Sequence, residues 1–359
     1  MAAGLIVTSW PLGLGSGSGT AMFIRSLRRA VEAAGHAVHL VNPALDAADY
    51  VQFTLERFWF NTQLRDDPRV AGAAWILGID YDGFALPRRA GQPFVASARA
   101  VFAELAPTEP DPFHTLLRAQ AFFEGHNLRA ADWVTAPSEY ARAAVIHHYG
   151  VPPERAVTIP NGVDLAAWDA HWRDLPEPEP GRRPTVLAVS KLYPRKKIDT
   201  LIRAVPRLRR RYPDIDVRIV GGGFEWDAWR RLAEAIGASP NLTWLGDVDD
   251  RRAVVGEFKR CHVFTHTSVQ EAFGNVVLEA MASSRPVVAV DAACLPEMIR
   301  ASGGGVLVPP DDPPALADAL AGLLEDAPRR AALGRAGRAF AETLTWERAA
   351  EHYLRLLTS

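Results

Sequence analysis

Six short apolar stretches follow one another from Thr185: 185–189, 215–220, 241–245, 261–265, 286–290 and 304–308, each separated from the next by a helical stretch. Strands alternating with helices in this way predict a parallel sheet covered by helices on both faces. The N-terminus starts a similar series. GLIVTS at 4–9 reads as a buried strand, and the glycine-rich PLGLGSGSGT follows. A helix from about Thr20 to Ala34 carries Leu27, Ala30, Val31 and Ala34 on one face, and GHAVHLV at 35–41 is the second strand. This is the opening βαβ unit of a doubly wound fold. DLPEPEPGRRP at 174–184 is rich in Pro and charge and reads as the linker. A chain of 359 residues favours two domains. The expected division is 1–170, a linker at 171–184, a second domain at 185–342, and a terminal helix at 343–359.

The unusual residues recur at one kind of place. Gly13 to Gly19, Asp80, Lys191 to Lys197, Gly221 to Gly223 and Thr267 to Glu271 each follow a strand and precede a helix. In an open α/β sheet such points lie on the carboxyl edge, where ligands bind. The first glycine loop is not a P-loop, because no Gly-Lys-Ser/Thr follows. The dinucleotide pattern G-x-G-x-x-G also fails: from Gly13, Gly15 or Gly17 the third position is Ser18, Thr20 or Met22. The second strand ends at Val41-Asn42 without an acidic ribose ligand. NAD binding is therefore disfavoured.

The stretch EAFGNVVLEAM, Glu271 to Met281, carries the densest chemistry. A helix is expected to start near Gly274, so that Phe273-Gly274-Asn275 lies at its N-terminus. There free N–H groups and the helix dipole favour an anion or an oxygen-rich ligand. Glu279 lies among Val276, Val277, Leu278, Ala280, Met281 and Ala282, on a helix apolar nearly all round. A buried carboxylate needs a partner. The local pattern leaves two readings: an internal salt bridge to an Arg, or a carboxylate aimed into a cleft to bind hydroxyls. Arginine serves almost everywhere a cation is used. The only lysines are Lys191, Lys196, Lys197 and Lys259, and three of the four fall within seven residues. The bland alternative is a solvated basic loop.

Glu271 and Glu279, with Phe-Gly after the first and Ala-Met after the second, resemble the acidic motif of the retaining GT-B glycosyltransferases, group 1 and family 4-like. SKLYPRKKIDTLIRAV at 190–205 is similar to the family's Gly-Arg-Leu…Lys-Gly segment, with Lys191 at the Arg position and Lys196 at the Lys position. The resemblance implies an α/β, GT-B fold: two Rossmann-like doubly wound domains facing a central cleft, with the last helix crossing back to the N-terminal domain. It implies a retaining hexosyltransferase that uses a UDP- or GDP-sugar and an acceptor hydroxyl. In that reading Lys191 and Lys196 neutralise the departing diphosphate, as preorganised cations do where charge develops. Lys in place of Arg keeps the charge and loses the bidentate fork. Glu271 orients the donor sugar, and Glu279 holds the ribose. Donor contacts are also implied for Gly17, Gly19, Gly222, Leu245, Phe273, Gly274, Asn275 and Val276. The family carries a His-Asp pair near the strand at 72–83. Here Ile79 stands at the His position, so a catalytic contribution falls to Asp80, with Asp82 as the alternative. Ser190, Lys197, Ser284 and the pair Ala293-Cys294 replace family glycines, and the last two departures are expected to narrow the donor or acceptor pocket. The implied leaving diphosphate takes the acceptor proton.

The rest of the chain bounds this reading. A formal net charge of -2 argues against a nucleic-acid partner held by phosphate contacts. No apolar run approaches the ~18 residues of a membrane span, and MAAGLIVTSW has no basic n-region of a signal peptide. Cys261 and Cys294 suggest a reducing compartment, hence a cytoplasmic location, and no zinc site. No metal or other cofactor is expected. The partners are a nucleotide sugar and a glycan, lipid or small-molecule acceptor, with peripheral membrane contact compatible. The aromatic stretch 49–66 reads mainly as core, with an acceptor wall as the minor reading. His147 and His148 are adjacent, so they point to different sides of a helix and read as surface or packing residues. Two other classes compete: a nucleotide-sugar epimerase of the same architecture, and a non-catalytic sugar-nucleotide or glycan-binding subunit.

Overall fold

The computed structural model describes residues 3–13, 19–45, 47–179 and 182–358. The chain divides into two units: Met1–Gly162 with Trp346–Ser359, and Val163–Thr345. In the first unit the strands are β1 (Gly4–Val7), β2 (Val38–Val41), β3 (Ile76–Ile79), β4 (Phe94–Ser97), β5 (Trp133–Ala136) and β6 (Ala156–Thr158). They form one parallel sheet in the order β2-β1-β3-β4-β5-β6. β1, β3 and β4 are buried along their whole length, as expected for strands covered on both faces. β4 and the helix Tyr50–Gln63 have no counterpart in the sequence reading. Four small or apolar residues give no period that separates a strand from a helix segment.

The terminal helix Trp346–Leu357 belongs to this first unit. Its Trp346 and Tyr353 rings meet Phe23 of the helix Gly19–Ala33 at 6.0 and 5.8 Å. The Tyr353 hydroxyl also bonds with Ser97 Oγ (2.8 Å) and Thr135 Oγ1 (2.9 Å), on β4 and β5. An apolar body with a satisfied polar tip fixes the helix in one register.

The second unit holds β7 (Thr185–Val189), β8 (Asp216–Val220), β9 (Leu242–Gly246), β10 (Val263–His266), β11 (Val287–Val290) and β12 (Gly305–Val308). Its order is β12-β11-β10-β7-β8-β9, again all parallel. The strand order reverses between β7 and β10, and that crevice is where ligands bind in such sheets. The first domain ends at Gly162, short of the expected 170. The helix Leu165–Asp174 packs into the second unit, with Trp168 edge-on to Phe258 at 5.6 Å and its Nε1 donating to Ser283 Oγ at 3.0 Å. The start of the expected linker is therefore helical.

Three of the residues that replace family glycines adopt positive φ: Lys197 (50°), Ser284 (53°) and Ala293 (51°). A side chain in the left-handed region costs roughly 1–2 kcal/mol. Ser284 is exposed at the far end of the helix Asn275–Ala282 from Gly274, so it narrows no pocket there. Ala293 and Cys294 instead lie directly after β11 and lead into the helix Leu295–Ser302. Ala293→Gly is expected to raise stability by about 0.5–1 kcal/mol in urea unfolding; a loss would show that the methyl group packs favourably enough to offset its backbone.

His262 makes the second unit acid-sensitive. Its Nδ1 accepts from Thr185 N–H at 3.1 Å. Burial, then Arg182, Arg330 and Arg285, push its pKa down to about 4. The unfolded chain thus takes up a proton that the fold refuses. The stability contribution is complete above about pH 6.5, falls as pH drops towards 4, and levels off below. Thermal melting across pH 7 to 4 should show this decline, and His262→Asn should flatten it.

Candidate donor site at the β7–β10 switch point

The loops after β7 and β10 meet at the point where the strand order reverses. Backbone and hydroxyl hydrogen bonds latch them together. Val269 N–H donates to Arg195 O at 2.9 Å, and Thr267 Oγ1 donates to Lys196 O at 2.8 Å. This latch brings Lys196 Nζ onto Glu271 Oε2. His266, the last residue of β10, places Nε2 3.2 Å from the same oxygen. Its ring is buried and lies nearly parallel to Phe264, at 14°. Burial works to raise the Glu271 carboxyl, but the Lys196 ammonium and His266 overcome it and hold the group well below the usual range. Burial lowers the His266 pKa, against the pull of Glu271. No protein donor reaches Glu271 Oε1 among the described residues, and the side chain keeps 20% exposure. That leaves one carboxylate oxygen for a ligand.

Lys191 is engaged separately. Its Nζ donates to Asp247 Oδ1 at 2.7 Å, and Gly222 N–H donates to the same oxygen at 2.9 Å. Burial raises the Asp247 carboxyl, but Lys191 and the Gly222 N–H outweigh it and leave the group below its ordinary value. A Cβ on Gly221 would lie 1.9 Å from Ser190 O, so only glycine lets these two loops approach. Leu245 is the extra residue of a bulge: Ile219 pairs with Trp244, and Val220 pairs with Gly246. Bulges re-aim a strand end and are common beside active sites.

Gly274 caps the helix Asn275–Ala282 with φ 82°. Phe273 is buried, while Asn275 and Val276 are half-buried on the first turn. Glu279 is buried and accepts from Arg251 Nη2 at 2.7 Å. Of the two sequence readings, the salt bridge to an arginine is thus present in the structure. Arg251 also stacks over Trp168, 4.7 Å from its centroid, and stays 44% exposed. No second protein donor is placed on Glu279 among the described residues.

The first unit treats its expected residues differently. Gly17 lies outside the described residues, and Gly19 opens the helix Gly19–Ala33. Asp80 has no exposed surface and a left-handed φ of 57°. Its oxygens accept from Trp10 Nε1 (2.7 Å) and Arg99 N–H (2.6 Å). Asp82 accepts from Ser9 N–H, Ser9 Oγ and Asn61 Nδ2, with Arg57 Nη2 at 3.8 Å. Burial raises both carboxyls. Asp80, for which a catalytic contribution was expected, thus ties the ends of β1, β3 and β4 together, and its alternative Asp82 is equally buried. Tyr50, Phe53 and Phe58 of the helix Tyr50–Gln63 pack as expected. Val51, Leu55 and Trp59 do not: they form an exposed stripe on that helix. Sequence reasoning missed His266, Arg251 and Asp247. An inward His ending a strand beside Glu271 was the one local signal among them.

Two doubly wound parallel units define both the class of architecture, open α/β, and the carboxyl edge where such sheets bind ligands. The family model Glycosyl transferases group 1 matches residues 174–340, and Glycosyltransferase Family 4 matches residues 17–167. The chain belongs to the group 1, family 4-like glycosyltransferases. It is 35% identical over 221 residues to a GDP-mannose-dependent alpha-(1-6)-phosphatidylinositol monomannoside mannosyltransferase of Mycolicibacterium smegmatis, covering 59% of this chain and 58% of the relative. It is 31% identical over 305 residues to a D-inositol 3-phosphate glycosyltransferase of Salinispora tropica, covering 78% and 61%. The chain thus spans only about three-fifths of the length of these relatives. Sucrose-phosphate synthase from Thermosynechococcus elongatus has a similar structure, with TM-score 0.77, 21% identity and coverage of 99% and 98%. Anabaena Alr3699/HepE in complex with UDP gives TM-score 0.72, 21% identity and coverage of 99% of both chains. The fold is that of the GT-B glycosyltransferases.

The Arg251–Glu279 pair is asymmetric, and its two single variants should differ. Arg251→Ala strands a buried carboxylate and is expected to cost about 3 kcal/mol. Glu279→Gln frees a half-exposed cation and keeps an acceptor, so it should cost about 1 kcal/mol. Urea unfolding of both measures the difference; equal costs would mean that the carboxylate is not the buried member in solution.

Proposed function

We propose that the protein is a retaining hexosyltransferase that uses a nucleoside diphosphate sugar. The observation that carries this reading is the convergence of Lys196 and Glu271 at the switch point, with Glu271 Oε1 left open beside a helix N-terminus. Glu271 and Asp247 pair with the two lysines. An incoming diphosphate offers each lysine a stronger anion, and Lys191 and Lys196 then stabilise the charge that gathers as the sugar departs. Glu271 orients the sugar hydroxyls. Glu279, held through one oxygen by Arg251, offers the other to the ribose. The bond from the anomeric carbon to the diphosphate breaks. The acceptor oxygen forms the new glycosidic bond on the same face, and its proton passes to the leaving diphosphate.

The relatives, a GDP-mannose-dependent mannosyltransferase and an inositol-phosphate glycosyltransferase, support GDP-mannose as a donor and an inositol phosphate, free or lipid-linked, as the acceptor class to try first. The exposed stripe of Val51, Leu55 and Trp59 favours peripheral contact with a membrane that carries such an acceptor. No helix among the described residues is long and apolar enough to cross a membrane.

Incubation with GDP- and UDP-sugars, with and without inositol phosphates, tests the reaction. Release of nucleoside diphosphate that needs acceptor, with an α-linked product from an α-linked donor, is the expected result. Epimerised donor formed without acceptor would replace this reading with an epimerase. Lys196→Ala should lower turnover by ~10²-fold or more while the protein stays folded by circular dichroism; unchanged turnover would remove Lys196 from the diphosphate site.

A further inference from the structure

We propose that His266 is a positioning residue whose Nε2–H keeps Glu271 aimed at the donor sugar when the diphosphate draws Lys196 away. The inference rests on the donor site proposed above and deepens it. Glu271 Oε2 has two protein donors, and they differ in kind. Lys196 is a cation on a flexible four-carbon stem, and the proposed chemistry needs it at the phosphates. His266 ends β10, its ring lies against Phe264 with 4% exposure, and its Nε2 is 3.2 Å from the oxygen. A neutral, buried, packed imidazole has little attraction to an incoming anion. It stays where the strand puts it.

The two donors therefore do sequential jobs on one atom. Before the donor binds, Lys196 and His266 share Oε2. Once Lys196 turns to the diphosphate, Glu271 would be free to rotate unless a second group held it. A bond from Nε2 fixes the Nε2–H tautomer and directs Oε1 into the site. A misplacement of about 1 Å in a reacting constellation costs ~10²-fold in rate, so a loss of that order is expected without the imidazole donor.

Two variants separate this role from simple packing. His266→Leu keeps the apolar bulk and removes the donor; His266→Gln places an amide N–H near the Nε2 position. Turnover of the leucine variant should fall ~10–100-fold, the glutamine variant should recover most of it, and free nucleoside diphosphate should bind all three proteins within about twofold by calorimetry. Equal impairment of both variants would make His266 a packing residue, and full activity of His266→Leu would end the proposal. Long-range proton–nitrogen spectra of the wild type give a readout independent of activity: an Nδ1–H tautomer would also overturn it. If the wild type binds no nucleotide sugar, the donor-site reading fails and this inference falls with it. If the wild type transfers sugar and His266→Leu does so equally well, only the inference falls.

Discussion

The ion pair between Lys196 and Glu271 is the interaction on which the second unit's site depends. A carboxylate and an ammonium this poorly exposed would each be costly alone. Together, with His266 on the same oxygen, they form a compact charged group that two loops must meet to complete. The latch between Val269 and Arg195 supplies that meeting, and the β7–β10 crevice supplies the place. The pair also sets the direction of the proposed chemistry. Its cation has a better partner waiting in a diphosphate, and its anion keeps a second donor.

The two units use the same topological feature in opposite ways. Each sheet reverses its strand order once, next to β1 in the first and next to β7 in the second. In the second unit that crevice holds a carboxylate oxygen open to ligand. In the first, Asp80, Asp82, Ser9, Asn61, Arg57 and Trp10 form a buried hydrogen-bonded network inside the protein, with Arg99 N–H as a further donor to Asp80. Arg57 stacks between Trp10 and Tyr81, at 4.4 and 4.3 Å, and closes the network. Carboxylates at a switch point are not thereby ligands. What separates the two cases is whether the neighbouring chain supplies a donor to both carboxylate oxygens.

The glycine replacements add a second contrast. Lys197 and Ala293, which stand where the resemblance puts glycines, adopt a left-handed backbone while carrying side chains. The fold therefore tolerates local strain on both sides of the site, and residues in such conformations persist only where surrounding structure over-determines them. Lys197 is held in part by Asp311, 3.1 Å from its Nζ. Ala293 precedes Cys294, which is buried.

The alternation of apolar strands with helices determined the second unit's parallel sheet and the opening strands of the first, because burial on two faces is written into short continuous apolar runs; β4, in the middle of the first sheet, was not legible. All six strands of the second unit fall within a residue or two of where that pattern puts them. The clustered lysines and the two glutamates were equally legible, since a charge amid apolar neighbours, or three of four lysines within seven residues, stands out locally. Pairing was not legible. Glu271 meets a lysine 75 positions away, Glu279 an arginine 28 away, and Lys191 an aspartate 56 away. Asp80 stood out as a carboxylate after a strand, but its burial and its donors, Trp10 and Arg99, were not legible from its neighbours. Propensity and hydrophobic period act between neighbours in the chain, whereas burial, charge compensation and an open lone pair depend on which distant segments the fold brings together.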